Sequence, residues 1–291
     1  MKKNRLAFFI ICCSLSSASF ALEVASEADL SNSIAQDGIN VQFALPTNGW
    51  RASEMSLTDT NGISASVMAG YTSPGTVVAK NVGFNTCTNG VDPTCAFTAG
   101  AGFLLSVDMV GDNNGVAVGG SPMLNASFTL TGGASKIRLF IDDIRLRNGQ
   151  TGSTETVLVD FLQNYVDIVP TGSLTLMTMQ LGGSETTGHM LHFLNGDFGT
   201  IDFGTIALVD ATTSTNNLRF GFKLDEFNVT GAGFDINDKG LIFTDSNFGK
   251  GLMDITLSDV RVGGASAASM GSFGLQNVSV SNLAVTVGGK N

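Results

Sequence analysis

The chain has 291 residues, of which 43% are hydrophobic and only 14% are charged, and it contains 36 glycines. This composition excludes an intrinsically disordered protein, which would combine low hydrophobicity with a high charge content, and the length suffices for one large domain or two. The formal charge of −10 excludes the basic surface that nucleic-acid binding needs, so we expect no nucleic-acid partner.

The first 21 residues have the pattern of a secretory signal peptide. Three basic residues precede an apolar run that ends at Cys13, and Ser19 and Ala21 supply small residues at −3 and −1 of a cleavage site. The run is shorter than the ~20 residues that span a bilayer, so we predict export and no transmembrane helix. Cleavage would leave 12 basic and 25 acidic residues, a formal charge of −13. We expect the protein in the periplasm, at the outer-membrane surface or outside the cell.

A short helix is predicted soon after the cleavage site, over residues 27–36. Ser26, with an acidic residue three positions later, is an N-cap signature. Leu30 and Ile34 fall on one helical face, and Gly38 stands where a C-cap is expected.

Two cysteines, Cys87 and Cys95, remain once the signal peptide is removed. They flank a loop whose Asn-Gly and Asp-Pro steps turn the chain back on itself. An oxidising compartment would allow them to pair, and the alternative, a metal site, lacks further ligands. We therefore predict a local disulfide.

From Asn40 onward, the chain alternates apolar and small polar residues in runs that end at glycines, Asn-Gly steps or Asp-rich segments. This alternation is typical of an all-β protein. One eight-residue pattern, apolar-x-apolar-x-x-apolar-x-apolar, recurs within it. It occurs as LFIDDIRL (139–146), LTLMTMQL (174–181), IDFGTIAL (201–208), FKLDEFNV (222–229), ITLSDVRV (255–262) and VSVSNLAV (278–285).

The extra central residue of this pattern predicts a β-bulge. In a regular strand it would turn the second apolar pair to the opposite face, and a two-residue hairpin would need a glycine in the centre, which only one copy has. A bulge bends the strand and leaves both central side chains on the solvent side. We predict long, curved or bulged antiparallel strands in a sandwich-like or irregular solenoid-like architecture. A corner between two sheets is the alternative.

DFGTIDFGTI, residues 197–206, repeats five residues, but the repeat stops there. The eight-residue pattern also recurs at irregular intervals, whereas a uniform solenoid would keep one period. We interpret the five-residue repeat as an accident of one strand and predict a bulge at Gly204-Thr205.

Two regions are distinguished by this pattern. Residues 22–135 contain the predicted helix and the cysteine loop but lack the pattern, and residues 136–291 contain all six copies. We expect the two regions to be continuous.

No residues point to catalysis. His189 and His192 would lie on opposite faces of a strand, and no Gly-x-Ser-x-Gly nucleophile elbow occurs. Adjacent carboxylates such as Asp142 and Asp143 fall at the central positions of the pattern, where exposure to solvent explains them. We therefore predict that the protein is not an enzyme and has no catalytic residue, cofactor or metal.

GAGFDINDKG, residues 231–240, is the best candidate for calcium, because its glycines and Asp235 match part of the repeat of calcium-binding β-rolls. The segment occurs once, and Lys239 stands where a calcium loop would need Asp or Asn. A solvated turn is the favoured interpretation. Whether Asp235, Asn237 and Asp238 bind calcium stays open from sequence.

Two segments resemble the Fil-type pilus assembly proteins of Gram-negative bacteria. EADLSNSIAQDGINVQF, residues 27–43, is similar to the opening of that family, and MGSFGLQNVSVSNLAVTVGGKN, residues 270–291, is similar to its closing strands. The chain departs from the family at residues 33–35 and lacks its final histidine. The resemblance implies an exported all-β protein tied to pili or a related surface structure, with no known catalysis.

These observations favour an exported, non-enzymatic structural protein that takes part in pilus or surface-structure assembly, with other surface or pilus proteins as partners. A cell-surface ligand-binding module is the alternative, and it would have a pocket with converging polar groups. An outer-membrane β-barrel is the third alternative, although the two tyrosines and one tryptophan are few for its aromatic girdles. The sequence leaves the oligomeric state open.

Overall fold

The computed structural model describes residues 38–59, 74–88, 95–110, 123–148, 154–171, 174–182, 190–210, 217–237, 240–245, 247–280 and 283–287. These residues form antiparallel β-structure, so the predicted all-β class is confirmed. Within these ranges no helix occurs, and hence none that is long and apolar enough to cross a membrane. The predicted signal peptide and the predicted helix over residues 27–36 lie outside the described residues.

Seventeen strands form one hydrogen-bonded sheet. They are β1 (Ile39–Ala44), β2 (Trp50–Asp59), β3 (Gly75–Cys87), β4 (Gly102–Val110), β5 (Met123–Thr131), β6 (Lys136–Phe140), β7 (Asp143–Asn148), β8 (Glu155–Phe161), β9 (Tyr165–Val169), β10 (Thr175–Gly182), β11 (Leu191–Val209), β12 (Asn217–Thr230), β13 (Ala232–Asn237), β14 (Gly240–Asp245), β15 (Asn247–Val262), β16 (Phe273–Val280) and β17 (Leu283–Val287).

Strand β11, with 19 residues, organises the sheet because it pairs along both of its edges. Along one edge it pairs in turn with β10, β9 and β8, and along the other with β13 and then β12. On the first side, pairing continues from β10 through β5 and β4 to β1, and from β9 and β8 through β6, β7 and β3 to β2. On the second side, it continues from β13 through β14 to β17, and from β12 through β15 to β16. The N-terminal strands therefore lie on one side of β11 and the C-terminal strands on the other.

The sheet has an apolar face and a polar face, because alternate residues of each strand share a face and the register aligns like with like. Two adjacent rows of cross-strand neighbours in β1, β4, β5 and β10 show this. The apolar row is Val41, Leu105, Phe128 and Met177. The polar row beside it is Asn40, Ser106, Ser127 and Thr178.

Bulges preserve this division along the strands, as the eight-residue pattern predicted. In IDFGTIAL, the register of β11 with β12 shifts between Asp202 and Thr205, and Gly204 has a φ of 59°. In FKLDEFNV and ITLSDVRV, register shifts accompany a positive φ at Glu226 and at Asp259. The predicted bulge at Gly204-Thr205 is confirmed.

The other copies interrupt the strands in different ways. LFIDDIRL is divided between β6 and β7, and LTLMTMQL has register shifts on both sides of Met177 and Thr178. The centre of VSVSNLAV, residues 281–282, lies outside the described residues. The prediction that both central side chains face solvent is wrong at Asp143, which is buried because Arg145 pairs with its two carboxylate oxygens, each at 2.6 Å.

Strand β3 has an interruption of the same kind that the pattern search missed. Asn81 has a φ of 50°, and it separates Val77 and Ala79 from Val82 and Phe84. These four residues have the spacing of the pattern. Ala79 is too small to have been counted as one of its apolar positions.

The five-residue repeat of DFGTIDFGTI is structural, contrary to our interpretation of it as an accident. Both of its glycines, Gly199 and Gly204, have positive φ, at 56° and 59°. Each glycine makes the same local hydrogen bond. The N–H of Gly199 donates to Asp197 Oδ1 at 3.1 Å, and that of Gly204 donates to Asp202 Oδ1 at 2.8 Å. The repeat therefore forms two successive bulges in one strand, since only glycine adopts this backbone conformation without strain.

Two clusters of buried apolar side chains lie within the sheet. Leu130 of β5, Ile137 of β6 and Leu176 of β10 lie in one cluster, although the described pairings do not join β5 to β6. Phe161 and Ile206 lie in the other, with partly buried neighbours from β7, β11 and β12. Burial of such side chains contributes roughly 1.5–3 kcal/mol each. The apolar face is therefore buried only in part, because inner strands also expose apolar side chains, among them Val77 of β3, Leu146 of β7 and Leu208 of β11.

Candidate functional site

The two sides of the sheet end in exposed edge strands. Each of β1, β2, β16 and β17 has one hydrogen-bonded partner among the described strands, namely β4, β3, β15 and β14. An edge strand presents unpaired backbone N–H and C=O groups, which can pair with another chain. The edges are therefore the part of this sheet best suited to contact a partner.

Strands β1 and β17 are exposed along their whole length and carry no charged residue. Their apolar side chains alternate along one face of each strand. In β1 these are Ile39, Val41 and Phe43, and in β17 they are Leu283, Val285 and Val287. Ile39 is 54% exposed and Val287 is 64% exposed, so the apolar face of the sheet meets solvent at both of these edges.

Strands β2 and β16 also expose apolar side chains. Leu57 of β2 is 76% exposed and Leu275 of β16 is 61% exposed. Strand β16 carries no charged residue, whereas β2 contains Arg51, Glu54 and Asp59. Natural sheets usually protect their edges with charges, prolines or bulges, and three of these four strands have no charge and no proline.

The polar face carries a network of ion pairs across β2, β3, β7 and β8. Lys80 Nζ lies 2.8 Å from Glu54 and 3.2 Å from Glu155. Arg147 Nη2 lies 2.7 Å from Glu54 and 2.5 Å from Glu155, and Arg145 reaches Glu155 at 3.4 Å. Each carboxylate therefore accepts hydrogen bonds from at least two cations, which fixes the relative positions of four strands.

These contacts change the pKa values of both carboxylates. The hydrogen bond from Arg147, followed by that from Lys80, lowers the pKa of Glu54 to about 2. The same two donors lower the pKa of Glu155. Both carboxylates are therefore ionised at neutral pH, and they have the signature of a structural network because their hydrogen bonds are already made within the chain.

A second ion cluster is buried on the polar face between β6 and β9. Asp167 accepts from Lys136 Nζ at 2.9 Å and from two nitrogens of Arg138, each at 2.7 Å, and the Lys136 side chain is only 1% exposed. The Arg138 guanidinium also lies 3.5 Å from the centre of the Tyr165 ring. The ion pairs and the ring contact hold β6 and β9 in register.

A cleft of about 380 Å³ opens on the polar face between β8, β11 and β12. Its polar lining consists of Glu155, Thr156, Asp160, Asp210, Asn217 and Arg219. Arg219 Nε donates to Asn217 Oδ1 at 3.0 Å. The cleft is thus mainly acidic, with one guanidinium held at its side.

Asp160 has the most unusual carboxyl environment in the cleft. Burial is the main reason that its pKa is raised, and the neighbouring charge of Asp143, its direct cross-strand partner, adds to this effect. A cation placed in the cleft would relieve the repulsion between the two carboxylates.

The structure places the predicted cysteine pair close together. The Cα atoms of Cys87 and Cys95 are 5.2 Å apart, which is a normal separation for a disulfide. Cys87 is fully buried at the end of β3. The pair therefore ties the segment before β4 to the end of β3.

The histidines and the calcium candidate are only partly described. His192 lies in β11, and His189, Asp238 and Lys239 lie outside the described residues. Asp235 accepts a hydrogen bond from the Met190 N–H at 2.9 Å. Among the residues with described positions, no three His, Cys, Asp or Glu side chains are grouped so that they could hold a metal ion.

The ion-pair network and the cleft were not predicted from sequence. The alternation of Arg145 and Arg147 in β7 was a signal, because two basic residues with one residue between them share a face of a strand. Their acidic partners are up to 93 residues away in sequence, so only the pairing of the strands identifies them.

No family model, curated protein or solved structure matches the chain. Its function therefore has to be inferred from its sequence and from the geometry of the sheet.

Proposed function

We propose that this protein is an exported, non-enzymatic structural protein of the bacterial surface, which takes part in assembling a pilus or a related surface structure. The main observation behind the proposal is that both sides of the sheet end in exposed edge strands with apolar side chains and few charges. These strands are β1 and β2 on one side and β16 and β17 on the other. Such strands can accept a further strand from another chain, with backbone hydrogen bonds for affinity and apolar side chains for specificity.

The sequence supports the same proposal. The pattern of residues 1–21 favours export, and the resemblance of residues 27–43 and 270–291 to Fil-type pilus assembly proteins favours a surface structure. The second of these segments contains both β16 and β17. The segment that resembles a surface-assembly family is thus also one of the two exposed sides of the sheet.

Fractionation of a Gram-negative host that expresses the full chain tests this proposal. Mechanical shearing, osmotic release of the periplasm and detergent extraction would be applied in sequence, with a chain lacking residues 1–21 as the matched control. We expect the full chain in the sheared surface material and the control in the cytosol. Retention of the full chain in the cytosol, or its extraction by detergent alone, would contradict the proposal.

A ligand-binding module of the cell surface is a second candidate, and the acidic cleft favours it. Asp160 and Asp210 line this cleft beside Glu155, whose carboxylate already accepts hydrogen bonds from Lys80 and Arg147. A small cation such as a linear diamine is therefore the class of ligand to test. Thermal unfolding with and without 1,4-diaminobutane would show a stabilisation that is lost in Asp160→Asn. An equal response of both proteins would remove this candidate.

A further inference from the structure

We infer that the two exposed sides of the sheet join head to tail, so that the side formed by β16 and β17 pairs with the side formed by β1 and β2 of a second copy of this chain. The inference rests on the proposed function, since it names the partner of the edges described above. Three properties of the sheet support it: strand direction, the order of strands along each side, and the positions of the apolar residues.

The strand directions on the two sides are compatible. Four successive antiparallel pairings lead from β11 to β1 and four lead from β11 to β2, so both strands run parallel to β11. Three such pairings lead from β11 to β17 and three lead to β16, so these two run opposite to β11. A second copy placed beside the first by translation would continue the antiparallel pattern without interruption.

The order of the strands along the two sides also corresponds. The strand series that lead to β1 and β17 attach to the beginning of β11, within residues 191–196. The series that lead to β2 and β16 attach to its later part, within residues 196–209. Translation therefore brings β17 against β1 and β16 against β2 at the same time.

The apolar residues of the facing strands fall into register. Antiparallel pairing of β17 with β1 can place Val285 opposite Val41, with Val287 opposite Ile39 and Leu283 opposite Phe43. All of these side chains then lie on the apolar face of both copies. A shift by one residue would turn one set to the polar face and leave it exposed, so this register is favoured.

The low charge of these strands favours contact between copies along them. Two copies of a chain with a formal charge of −10 repel each other, but β1, β16 and β17 contain no charged residue. Copies can therefore approach with the least repulsion along these strands. Because the two joined surfaces differ, each added copy leaves a new free side, and the assembly grows as an open chain.

Cross-linking between singly substituted proteins tests the register directly. Val41→Cys and Val285→Cys variants, one of them carrying an affinity tag, would be mixed and mildly oxidised, and the mixed dimer would be measured on a non-reducing gel. We expect a yield at least about tenfold higher than for Gln42→Cys mixed with Val285→Cys, because residue 42 lies on the opposite face of β1. Equal yields from the two mixtures would overturn the inference.

Sedimentation of a matched pair of lysine variants tests the contact without cross-linking. Val285→Lys and Thr286→Lys add the same charge at neighbouring exposed positions of β17, so circular dichroism is expected to show both folded. Val285→Lys would place the charge among apolar side chains at the junction and weaken association at least about tenfold. Thr286→Lys would associate like the unchanged protein. Two results would refute the inference. One is that the unchanged protein stays monomeric up to about 100 µM, the concentration range in which a weak specific contact forms. The other is that Val285→Lys associates as strongly as the unchanged protein.

These results separate the inference from the proposed function. A protein that is recovered in sheared surface material but stays monomeric when purified would refute self-association and keep the structural role, with a different partner. A protein that self-associates when purified but remains in the cytosol would refute the proposed function instead.

Discussion

The double bulge in β11 leads to a prediction about two glycines that have the same backbone conformation and different surroundings. Gly199 and Gly204 have φ values of 56° and 59°, and alanine in this left-handed region costs about 1–2 kcal/mol. The two alanine substitutions would therefore lose the same free energy from the backbone, and any difference between them reports the space around each added methyl group.

At Gly204, the added methyl group would meet the end of the Gln163 side chain. This side chain can move, at the loss of its hydrogen bond to the Tyr165 carbonyl, which contributes about 1 kcal/mol. Gly204→Ala is thus expected to lower the free energy of unfolding by about 2–3 kcal/mol.

At Gly199, the methyl group would meet backbone atoms that cannot move independently. These are the Val169 carbonyl oxygen, the Thr171 nitrogen at 2.7 Å and the Pro170 carbonyl carbon at 3.0 Å. Overpacking of this kind costs about 1–3 kcal/mol beyond the backbone term. Gly199→Ala is expected to lower the free energy of unfolding by about 2–5 kcal/mol, the sum of the two terms.

Urea unfolding followed by circular dichroism measures both effects, with Gly75→Ala as the control. Gly75 lies in β3 without a positive φ, and no heavy atom is within 4 Å of the position of an added Cβ, so its substitution is expected to change stability by less than about 0.5 kcal/mol. The reasoning fails if Gly204→Ala destabilises more than Gly199→Ala, or if neither differs from Gly75→Ala.

Three further predictions concern the charged groups of the polar face. Asp167→Asn is expected to cost about 3–5 kcal/mol in urea unfolding, because it leaves the buried Arg138 guanidinium without its carboxylate; a loss below 1 kcal/mol would show that the pair is not buried as described. Hydrogen bonds from Arg147 and Lys80 lower the pKa of Glu54 to about 2 from its ordinary 4.5. The stability that this carboxylate contributes is therefore complete above pH 4.5 and is lost as the pH falls towards 2. Glu54→Gln should make the melting temperature fall less steeply over this range, and an unchanged slope would contradict the network. Burial raises the pKa of Asp160, so the charged form of this side chain destabilises the fold at neutral pH. Asp160→Asn is expected to raise the free energy of unfolding by up to about 0.5 kcal/mol at pH 7. Below pH 3.8 the variant and the unchanged protein are expected to have the same free energy of unfolding.

The predicted features that were confirmed have short-range causes. Alternation of apolar and polar residues determines that a segment is a strand and which of its residues share a face, and the eight-residue pattern located the bulges at Gly204, Glu226 and Asp259. The cysteine pair was also predicted from neighbouring residues, since Cys87 and Cys95 are only eight residues apart. In each case, the residues that cause the structure lie within a few positions of one another.

Two predictions about side chains near the bulges were wrong, although the contacts that decide them lie within one strand. Asp143 was expected to face solvent, but β7 brings Arg145 beside it and the pair is partly buried. The second concerns the repeat of Asp197-Phe198-Gly199 at Asp202-Phe203-Gly204, in which each copy forms a bulge with its own aspartate bonded to its own glycine even though the period stops there. A repeat of two copies can encode a repeated backbone conformation without encoding a repeated fold.

The sequence by itself determined the all-β class, the strands with an apolar and a polar face, the positions of several bulges and the cysteine pair, because alternation and turn chemistry act between residues close in the chain. Only the tertiary structure decided which strands pair with β11 on each side, and therefore which strands became edges. Paired residues can be more than 70 positions apart, as Gly75 and Asn148 are, and many strands of similar alternation could pair with each other in isolation. The exposed sides formed by β1 with β2 and by β16 with β17 are a consequence of that choice, and the proposed function depends on them.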